Sequence, residues 1–283
     1  MPEGHTLHRL ATDLRERFAA REVRVSSPQG RFADSAALVD GTTLLASESA
    51  GKHLFVEFAE DRIIHVHLGL IGHFDVHDGP PPLPVGQVRL RIVAPGRNGR
   101  GPAYGDLRGA TTCELITGEQ RAAILARLGP DPLREDADWT VAWARIKRSS
   151  KPIGALLLDQ AVLAGVGNVY RAEVLFRHRI HPLRPGNTLR RGQFEAMWTD
   201  LVELMQYGVR TGRIDTVRDQ HTPEAMGRDP RRDDHGGEVY VYRRQGQPCH
   251  VCASRIRTEE LAGRNLFWCP QCQPRFRSRA RTA

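Results

Sequence analysis

The pattern of apolar and polar residues in the first half of the chain predicts one helix and several short strands. Apolar residues recur at helical spacing between residues 3 and 18: Leu7, Leu10, Ala11, Leu14 and Phe18. They predict an amphipathic helix almost at the start of the chain. Six short, partly alternating segments follow, separated by breaks rich in Gly and Pro: residues 42–49, 53–59, 62–67, 73–77, 87–94 and 111–116. Such segments are typical of an antiparallel sandwich or barrel.

After the motif RLGPDPL at residues 127–133 the pattern becomes helical. Three segments predict helices: ALLLDQAVL at 155–163, NVYRAEVLFRH at 168–178 and QFEAMWTDLVELMQYGVRTG at 193–212. Residues 215–237 are charged and poor in apolar side chains, which predicts a mobile loop without a core of its own. The segment EVYVYRR at 238–244 predicts a strand that leads into a region with four cysteines. The pattern as a whole predicts an α+β protein with two domains.

The composition is that of a globular protein. With 283 residues, 40% of them hydrophobic and 26% charged, the chain can bury a core, which argues against disorder. No apolar run reaches the roughly 18 to 20 residues needed to span a bilayer. The first ten residues lack the apolar stretch of a secretory signal. We therefore expect a cytoplasmic protein.

The charge of the chain indicates the kind of partner. A net charge of +8 favours a polyanion, because Lys and Arg side chains release counterions when they bind phosphates. Residues 240–283 hold nine Arg and two Glu, so most of this charge lies in the last part of the chain. A solvated basic tail would explain the charge of a featureless segment, but this segment also contains cysteines.

These cysteines have the spacing of a metal site. Cys249 and Cys252 form one C-x-x-C pair, and Cys269 and Cys272 form another. The spacing predicts four thiolate ligands of one tetrahedral Zn²⁺, whereas disulfides are disfavoured in a reducing cytoplasm. Four protein ligands leave no open coordination position, so the zinc is expected to be structural. Cys113, which lies in a predicted strand far from this group, is interpreted as a buried small apolar residue.

Three separated motifs extend the interpretation over nearly the whole chain. They are the N-terminal Met-Pro-Glu-Gly, the stretch DQAVLAGVGNVYRAEVLFRHRIHP at 159–182, and the terminal four-cysteine finger that contains Arg264 and ends in FWCPQC. Together they resemble the formamidopyrimidine and endonuclease VIII family of DNA glycosylases. Two features favour the endonuclease VIII branch, with actinobacterial members the most similar. One is the opening PEG, and the other is the absence of an aromatic residue after Asp106, Leu107 and Arg108.

The resemblance implies a domain organisation. An N-terminal catalytic β-sandwich domain would span residues 1–128, and a helix-two-turn-helix DNA-binding domain would span 134–213. The mobile loop at 214–238 and the zinc finger at 239–283 would complete the chain. DNA would cross between the domains, and the damaged nucleotide would rotate out of the stack to expose its sugar carbon. The implied cofactor is one structural Zn²⁺ with no organic cofactor. The implied partner is damaged double-stranded DNA. The protein itself would be a monomer that does not associate with a membrane.

The resemblance also implies the catalytic residues. Removal of Met1 would expose the secondary amine of Pro2, which would attack C1′, expel the base and form an iminium before β and δ eliminations cut the strand. An α-amine titrates near 7.7 to 8.0, so much of it is a free base around neutrality. Glu3 would move protons, although taken alone it is a helix N-terminal charge. Lys52 is either a solvated turn lysine or, as the resemblance implies, a cation of the catalytic site.

Four further residues would hold the DNA. Glycines precede a helix that begins near Asn168, whose N–H groups and amide would bind phosphate, although a plain N-cap would also place Asn there. Arg264 would grip the phosphates that flank the lesion and so joins the catalytic set, whereas taken alone it is a surface cation. His67 matches a phosphate-contacting position or is a strand histidine. Leu70 matches the intercalating position or is a core leucine.

The implied function is base-excision repair by a DNA N-glycosylase, which is a hydrolase, with abasic-site lyase activity. Because only Leu70 would fill the vacated stack, we expect a preference for oxidised pyrimidines, whose damage already weakens stacking. Two alternatives stay open at this point. One is a glycosylase that prefers oxidised purines, and the other is a noncatalytic DNA-binding zinc protein of the same fold.

Overall fold

The chain folds as two units, Met1–Arg127 and Leu128–Ala283. The computed structural model describes residues 2–97, 99–232 and 237–277. Within these ranges no helix combines the length and the apolar character that crossing a membrane requires. The finer boundaries expected inside the second unit, at 134–213, 214–238 and 239–283, stay predictions.

The first unit begins with the predicted helix, α1 (Gly4–Phe18), whose apolar face is buried. Its described residues contain eight strands: β1 (Arg21–Ser26), β2 (Thr42–Ala50), β3 (His53–Phe58), β4 (Arg62–His67), β5 (His73–Asp78), β6 (Val88–Ala94), β7 (Ala103–Arg108) and β8 (Thr112–Ile116). Helix α2 (Ala33–Val39) lies between β1 and β2, and helix α3 (Gly118–Leu125) follows β8.

The strands form an antiparallel arrangement with the order β5-β7-β6-β1-β2-β3-β4-β8. Strand β1 joins its two halves, because residues 21–23 pair with β2 and residues 24–26 pair with β6. Apolar residues of both halves and of α1 share one buried core. The expected antiparallel sandwich with an N-terminal helix is therefore confirmed.

Helices dominate the second unit. Its described residues contain α4 (Trp139–Lys147), α5 (Ile153–Leu156), α6 (Asn168–Arg177), α7 (Arg191–Thr211), α8 (Pro223–Met226) and the hairpin strands β9 (Arg257–Leu261) and β10 (Arg264–Trp268). Helices α6 and α7 match two predicted helices. Their apolar residues join one core with residues of the cysteine region.

The prediction of a helix at 155–163 is wrong. Helix α5 ends at Leu156, and turns follow it. The side chain of Gln160 bonds to the local backbone, since its Nε2 donates to the carbonyl oxygens of Leu158 and Val166 and its Oε1 accepts from Gly165 N. Such side-chain bonds offer the backbone an alternative to helical hydrogen bonds.

The prediction of a strand at 238–244 is also wrong. The backbone N–H groups of Tyr240, Val241 and Tyr242 all donate to the buried carboxylate of Glu173 on α6 at 2.7 to 2.8 Å. In a strand, successive N–H groups alternate in direction and cannot converge on one carboxylate. The segment is therefore wrapped around the Glu173 carboxylate, which lies far away in sequence.

The expected loop contains two short helical turns, Asp219–His221 and α8. Ile214 and Thr216 at its start are buried, so this part packs against the second unit. Residues 233–236 of the loop lie outside the described residues. The mobility of the segment stays a prediction.

Candidate active site and zinc centre

The N-terminal residues enter α1 directly. Pro2 is half-buried, and the side chain of Glu3 is completely buried although it makes no capping hydrogen bond to the helix. The carbonyl oxygen of Glu3 accepts a hydrogen bond from Thr6 N at 2.9 Å, which holds the start of the helix. A carboxyl group removed from water beside the second residue can exchange protons with a group bound there.

His5 is a residue of this region that the sequence patterns did not single out. Its side chain is 5% exposed, and burial is the largest of several causes that lower its pKa to about 4. The imidazole is therefore neutral near physiological pH. Its position on the buried face of α1, close to Pro2 in sequence, is the only sequence signal for it.

Lys52 and His67 lie close together at one end of the sheet. Lys52 occupies the turn between β2 and β3, and its charge is one of the causes, after burial, that lower the pKa of His67 at the end of β4. His67 Nδ1 accepts a hydrogen bond from Gly69 N at 3.2 Å. In the neutral ring the proton is therefore on Nε2, which leaves a donor for a phosphate oxygen.

The turn between β4 and β5 presents apolar side chains to solvent. Leu70 is 50% exposed and Ile71 is 81% exposed, so the interpretation of Leu70 as a core leucine is wrong. The turn packs closely, because a Cβ at Gly69 would meet Thr111 Oγ1 at 1.9 Å and a Cβ at Gly72 would meet Leu68 O at 2.2 Å. The sequence patterns did not single out Ile71, whose exposure follows from the tight turn.

The polar residues before Gly109 are held in place. Arg91 donates two hydrogen bonds to the buried Asp106 carboxylate, at 2.7 and 2.8 Å, and Arg108 donates a third at 2.9 Å. Ala110 then follows as a buried small residue. No aromatic side chain stands at positions 109 or 110.

Asn168 is the first residue of α6, and the N-cap is Gly167. The interpretation of Asn168 as a plain N-cap is therefore wrong. Its Nδ2 donates to the carbonyl oxygen of Asn265 at 3.0 Å, and its Oδ1 accepts from Arg171, which is itself fully buried. The amide thus joins the start of α6 to the β9–β10 hairpin. Arg171 is a third residue that the sequence patterns did not single out.

Arg264 stands next to that contact, at the start of β10. Ala262 and Gly263 form the hairpin turn with φ values of 54° and 69°. A tight two-residue hairpin turn needs this left-handed conformation at both of its central residues. The Arg264 side chain is exposed, and none of its atoms forms a hydrogen bond or ion pair with the described residues. A guanidinium held in this way is available to a phosphate.

The four cysteines of the finger converge. Their Sγ atoms all lie within 4.8 Å of one another, with 3.9 Å between Cys249 and Cys272 and 3.4 Å between Cys252 and Cys269. Tetrahedral ligands at a Zn–S distance of about 2.3 Å are about 3.8 Å apart. The four sulfurs therefore fit one structural Zn²⁺ that closes the base of the hairpin.

The fifth cysteine lies elsewhere. Cys113 is buried in β8, and burial raises the pKa of its thiol to about 12. The thiol is therefore unreactive near neutral pH, which agrees with its interpretation as a small core residue.

Three sequence models of protein families match the chain. The Formamidopyrimidine-DNA glycosylase N-terminal domain matches residues 1–113, and the Formamidopyrimidine-DNA glycosylase H2TH domain matches residues 128–220. The Zinc finger found in FPG and IleRS matches residues 246–275. These matches cover both units and include each cysteine of the zinc centre.

Relatives of known sequence match over the same length. Endonuclease 8 1 of Mycobacterium tuberculosis is 53% identical over 281 residues, which cover 96% of this chain and 100% of the relative. The formamidopyrimidine-DNA glycosylase of Parasynechococcus marenigrum is 32% identical over 283 residues, which cover 96% and 99%.

Solved structures share the fold. Lactococcus lactis Fpg in complex with DNA that contains an abasic site matches with a TM-score of 0.75 at 23% identity, covering 96% of this chain and 100% of that one. MutM (Fpg) from Thermus thermophilus matches with a TM-score of 0.71 at 28% identity, covering 96% and 98%.

Proposed function

The chain belongs to the formamidopyrimidine-DNA glycosylase and endonuclease VIII family, and we propose that it removes oxidised pyrimidines from double-stranded DNA through a Schiff base on Pro2. As a member of this family it is a base-excision repair enzyme, a bifunctional DNA glycosylase and abasic-site lyase. The observation that carries the proposed chemistry is the burial of the whole Glu3 side chain beside Pro2, at the start of a helix.

The reaction begins at Pro2 once Met1 has been removed. The amine attacks C1′ of the damaged nucleotide, the C1′–N bond breaks, and the base leaves with the proton that the amine gives up. Glu3 supplies a proton to the sugar ring oxygen, which opens the ring and leaves an iminium between Pro2 and C1′. The iminium acidifies the C2′ proton. Loss of that proton and then of the 3′ phosphate is the β elimination, and the δ elimination releases the 5′ phosphate.

The two units supply separate contacts to the phosphates. Lys52 and the Nε2–H of His67 offer a cation and a donor in the first unit. Arg264, presented by the hairpin turn, and the second amide hydrogen of Asn168 offer two donors in the second. When bound, the zinc supplies no chemistry to the reaction and stabilises the finger that holds Arg264.

Leu70 supports the substrate preference. Its exposed side chain, together with that of Ile71, can fill the gap left by an extruded nucleotide. Without an aromatic partner at positions 109 or 110, the site compensates little for lost stacking. Dihydrouracil and thymine glycol have lost ring planarity and cost less to extrude than 8-oxoguanine, which stays flat and paired.

Single-turnover excision from duplexes that each carry one lesion tests the proposal. We expect faster release of thymine glycol and dihydrouracil than of 8-oxoguanine opposite cytosine, by roughly tenfold for each 1.4 kcal/mol of difference that persists in the transition state. Borohydride added to the same reactions should trap a covalent complex. Equal or faster excision of 8-oxoguanine would replace the pyrimidine preference by a purine preference, and no trapping with any lesion would contradict the Schiff base.

A further inference from the structure

Three histidines and one glutamate form a connected group on one face of the first unit. Strand register places His53 opposite His67 and His65 opposite Glu114. His53 Nδ1 lies 2.9 Å from His65 Nε2, and His65 Nδ1 lies 2.9 Å from Glu114 Oε1. A continuous chain of hydrogen bonds therefore runs from a carboxylate through two imidazoles.

This chain of hydrogen bonds is held rigidly. The planes of the Phe55, His65 and His53 rings lie within 21° of each other, and the centroids of neighbouring rings are 5.1 to 5.2 Å apart. The guanidinium of Arg121 lies over the Phe55 ring, 5.3 Å from its centroid. Phe55 and His65 are buried, so neither ring can turn without disturbing the packing.

The carboxylate sets the positions of the protons. Ionised Glu114 only accepts hydrogen bonds, so His65 carries a proton on Nδ1. A neutral His65 then accepts at Nε2, so His53 donates from Nδ1 and its own Nε2 keeps a lone pair. When both imidazoles are neutral, the chain of hydrogen bonds therefore ends at a basic nitrogen, Nε2 of His53, the residue that follows Lys52.

The surroundings determine whether His53 or His65 can carry a positive charge. Burial is the largest cause that lowers the pKa of His53 to about 4, and His65, His67, Arg127 and Lys52 lower it further. His65 instead has a carboxylate partner. The side chain of Glu114 is 52% exposed, so the chain also reaches bulk water.

We propose that Glu114, His65 and His53 form a proton relay for the elimination steps, and this role rests on the proposed function. His53 Nε2 accepts a proton that leaves the active site, and its Nδ1 proton passes to His65 Nε2. The net product is an imidazolium at His65, paired with Glu114, and a neutral His53 that now carries its proton on Nε2. The proton then leaves to water, and the original tautomers return. His65 and Glu114 are positioning residues, since they act through His53.

The protonation states can be measured on the protein without DNA. We expect ¹⁵N NMR of the histidine rings, assigned with His53→Gln and His65→Gln, to show His53 protonated on Nδ1 at neutral pH. On acidification, the proton of His53 should move to Nε2 in the same step in which His65 becomes doubly protonated. A wild-type His53 that carries its proton on Nε2 at neutral pH, or separate titrations of the two rings, would overturn the relay.

Glu114→Gln tests the link to the reaction, with Glu119→Gln as the control because Glu119 is an exposed carboxylate of α3 in the same unit. Without the carboxylate the joint proton transfer should occur at lower pH, because a nearby carboxylate favours the charged form of an imidazole. The acidic limb of strand cleavage should move with it, while imine formation, measured by borohydride trapping, keeps its pH profile. Thermal unfolding confirms that both variants fold.

The outcomes separate the two proposals. A lower cleavage rate with an unmoved acidic limb would indicate a purely structural role for Glu114 and overturn the relay's part in cleavage. Absence of trapping and cleavage by the wild-type protein would overturn the proposed function. The NMR titration would still decide whether the relay exists.

Discussion

Burial and hydrogen bonding at individual residues separate roles that sequence motifs leave open. Leu70 could be a core leucine or a wedge on the basis of its sequence, and its 50% exposure rules out the core. Asn168 could be an N-cap, yet its amide bonds to the hairpin instead. The cross-strand contacts of His53 and Glu114 could not be predicted, because register depends on pairing between distant segments.

At Leu70 we expect truncation to slow base release more than cleavage of a preformed abasic site. Leu70→Ala removes apolar surface that would fill the vacated stack, which corresponds to about 1 to 2 kcal/mol and so to roughly tenfold in rate. Leu83→Ala is the control, because Leu83 is 87% exposed on another loop of the same unit. Single-turnover rates with a lesion duplex and an abasic duplex give the comparison. Equal slowing of both reactions would argue against a wedge.

At Arg264 we expect loss of a phosphate contact. Arg264→Ala should weaken binding to abasic DNA by roughly tenfold and reduce the slope of log K against log salt concentration by about 1. Arg257→Ala, at the opposite end of the same hairpin, is the matched control. Binding isotherms over a range of salt concentrations give both quantities. An unchanged slope would mean that Arg264 does not neutralise a phosphate.

Elements with regular polarity patterns could be predicted, and elements stabilised by distant partners could not. Helices α1, α6 and α7 follow their apolar spacing. Strand β7 was missed because it buries Gly105 and Asp106, and the burial of Asp106 depends on its ion pair with Arg91 in β6. The segment at 238–244 reads as a strand, but Glu173 collects its N–H groups.

The contact between α6 and α7 predicts a pH dependence of stability. Burial would raise the pKa of Asp200, but hydrogen bonds and charge from His178 and Arg177 outweigh it and hold the pKa at about 2. A folded pKa below the unfolded value, about 3.9, stabilises the protein above pH 4, and this contribution is lost as the pH falls from about 4 to 2.

Asp200→Asn should therefore lower the free energy of unfolding by about 2 kcal/mol at neutral pH, with a smaller difference near pH 2. Unfolding midpoints measured across this pH range test the expectation. The exposed Asp219→Asn in the same unit serves as the control. A difference between Asp200→Asn and wild type that does not change with pH would contradict stabilisation by the ionised Asp200 carboxylate.

The zinc finger is an element whose stability depends on its metal. Chelation of zinc, or Cys269→Ser, should sharply weaken DNA binding while β3 and β4 keep their protection from hydrogen exchange, because the metal site lies in the second unit and these strands lie in the first. Cys113→Ala is the control, since that cysteine lies in the other unit. Unchanged DNA affinity in metal-free protein would show that the finger is dispensable.

At the scale of the whole molecule, the excess of positive charge is what membership of a family of DNA glycosylases predicts. The excess of Arg in residues 240–283 lies in the same part of the sequence as the four cysteines of the zinc centre and Arg264. The family models match both units, and the first unit contains Pro2 and Glu3 while the second contains the finger. Because the proposed nucleophile and the proposed phosphate contacts are different residues, we expect that a substitution can abolish base excision without abolishing DNA binding, and the reverse.

Borohydride trapping with abasic DNA is the most direct test of Pro2 as the nucleophile. Protein preparations with different fractions of retained Met1, measured by intact mass, should trap DNA in proportion to the fraction of chains that begin at Pro2, because an acylated proline nitrogen cannot attack C1′. Pro2→Gly should lower trapping, because its primary amine gives an imine that is charged only when protonated, whereas the secondary amine of Pro2 gives a permanently charged iminium. Chains that retain Met1 and Pro2→Gly chains should both still bind abasic DNA. Normal trapping by chains verified to carry Met1 would contradict Pro2 as the nucleophile.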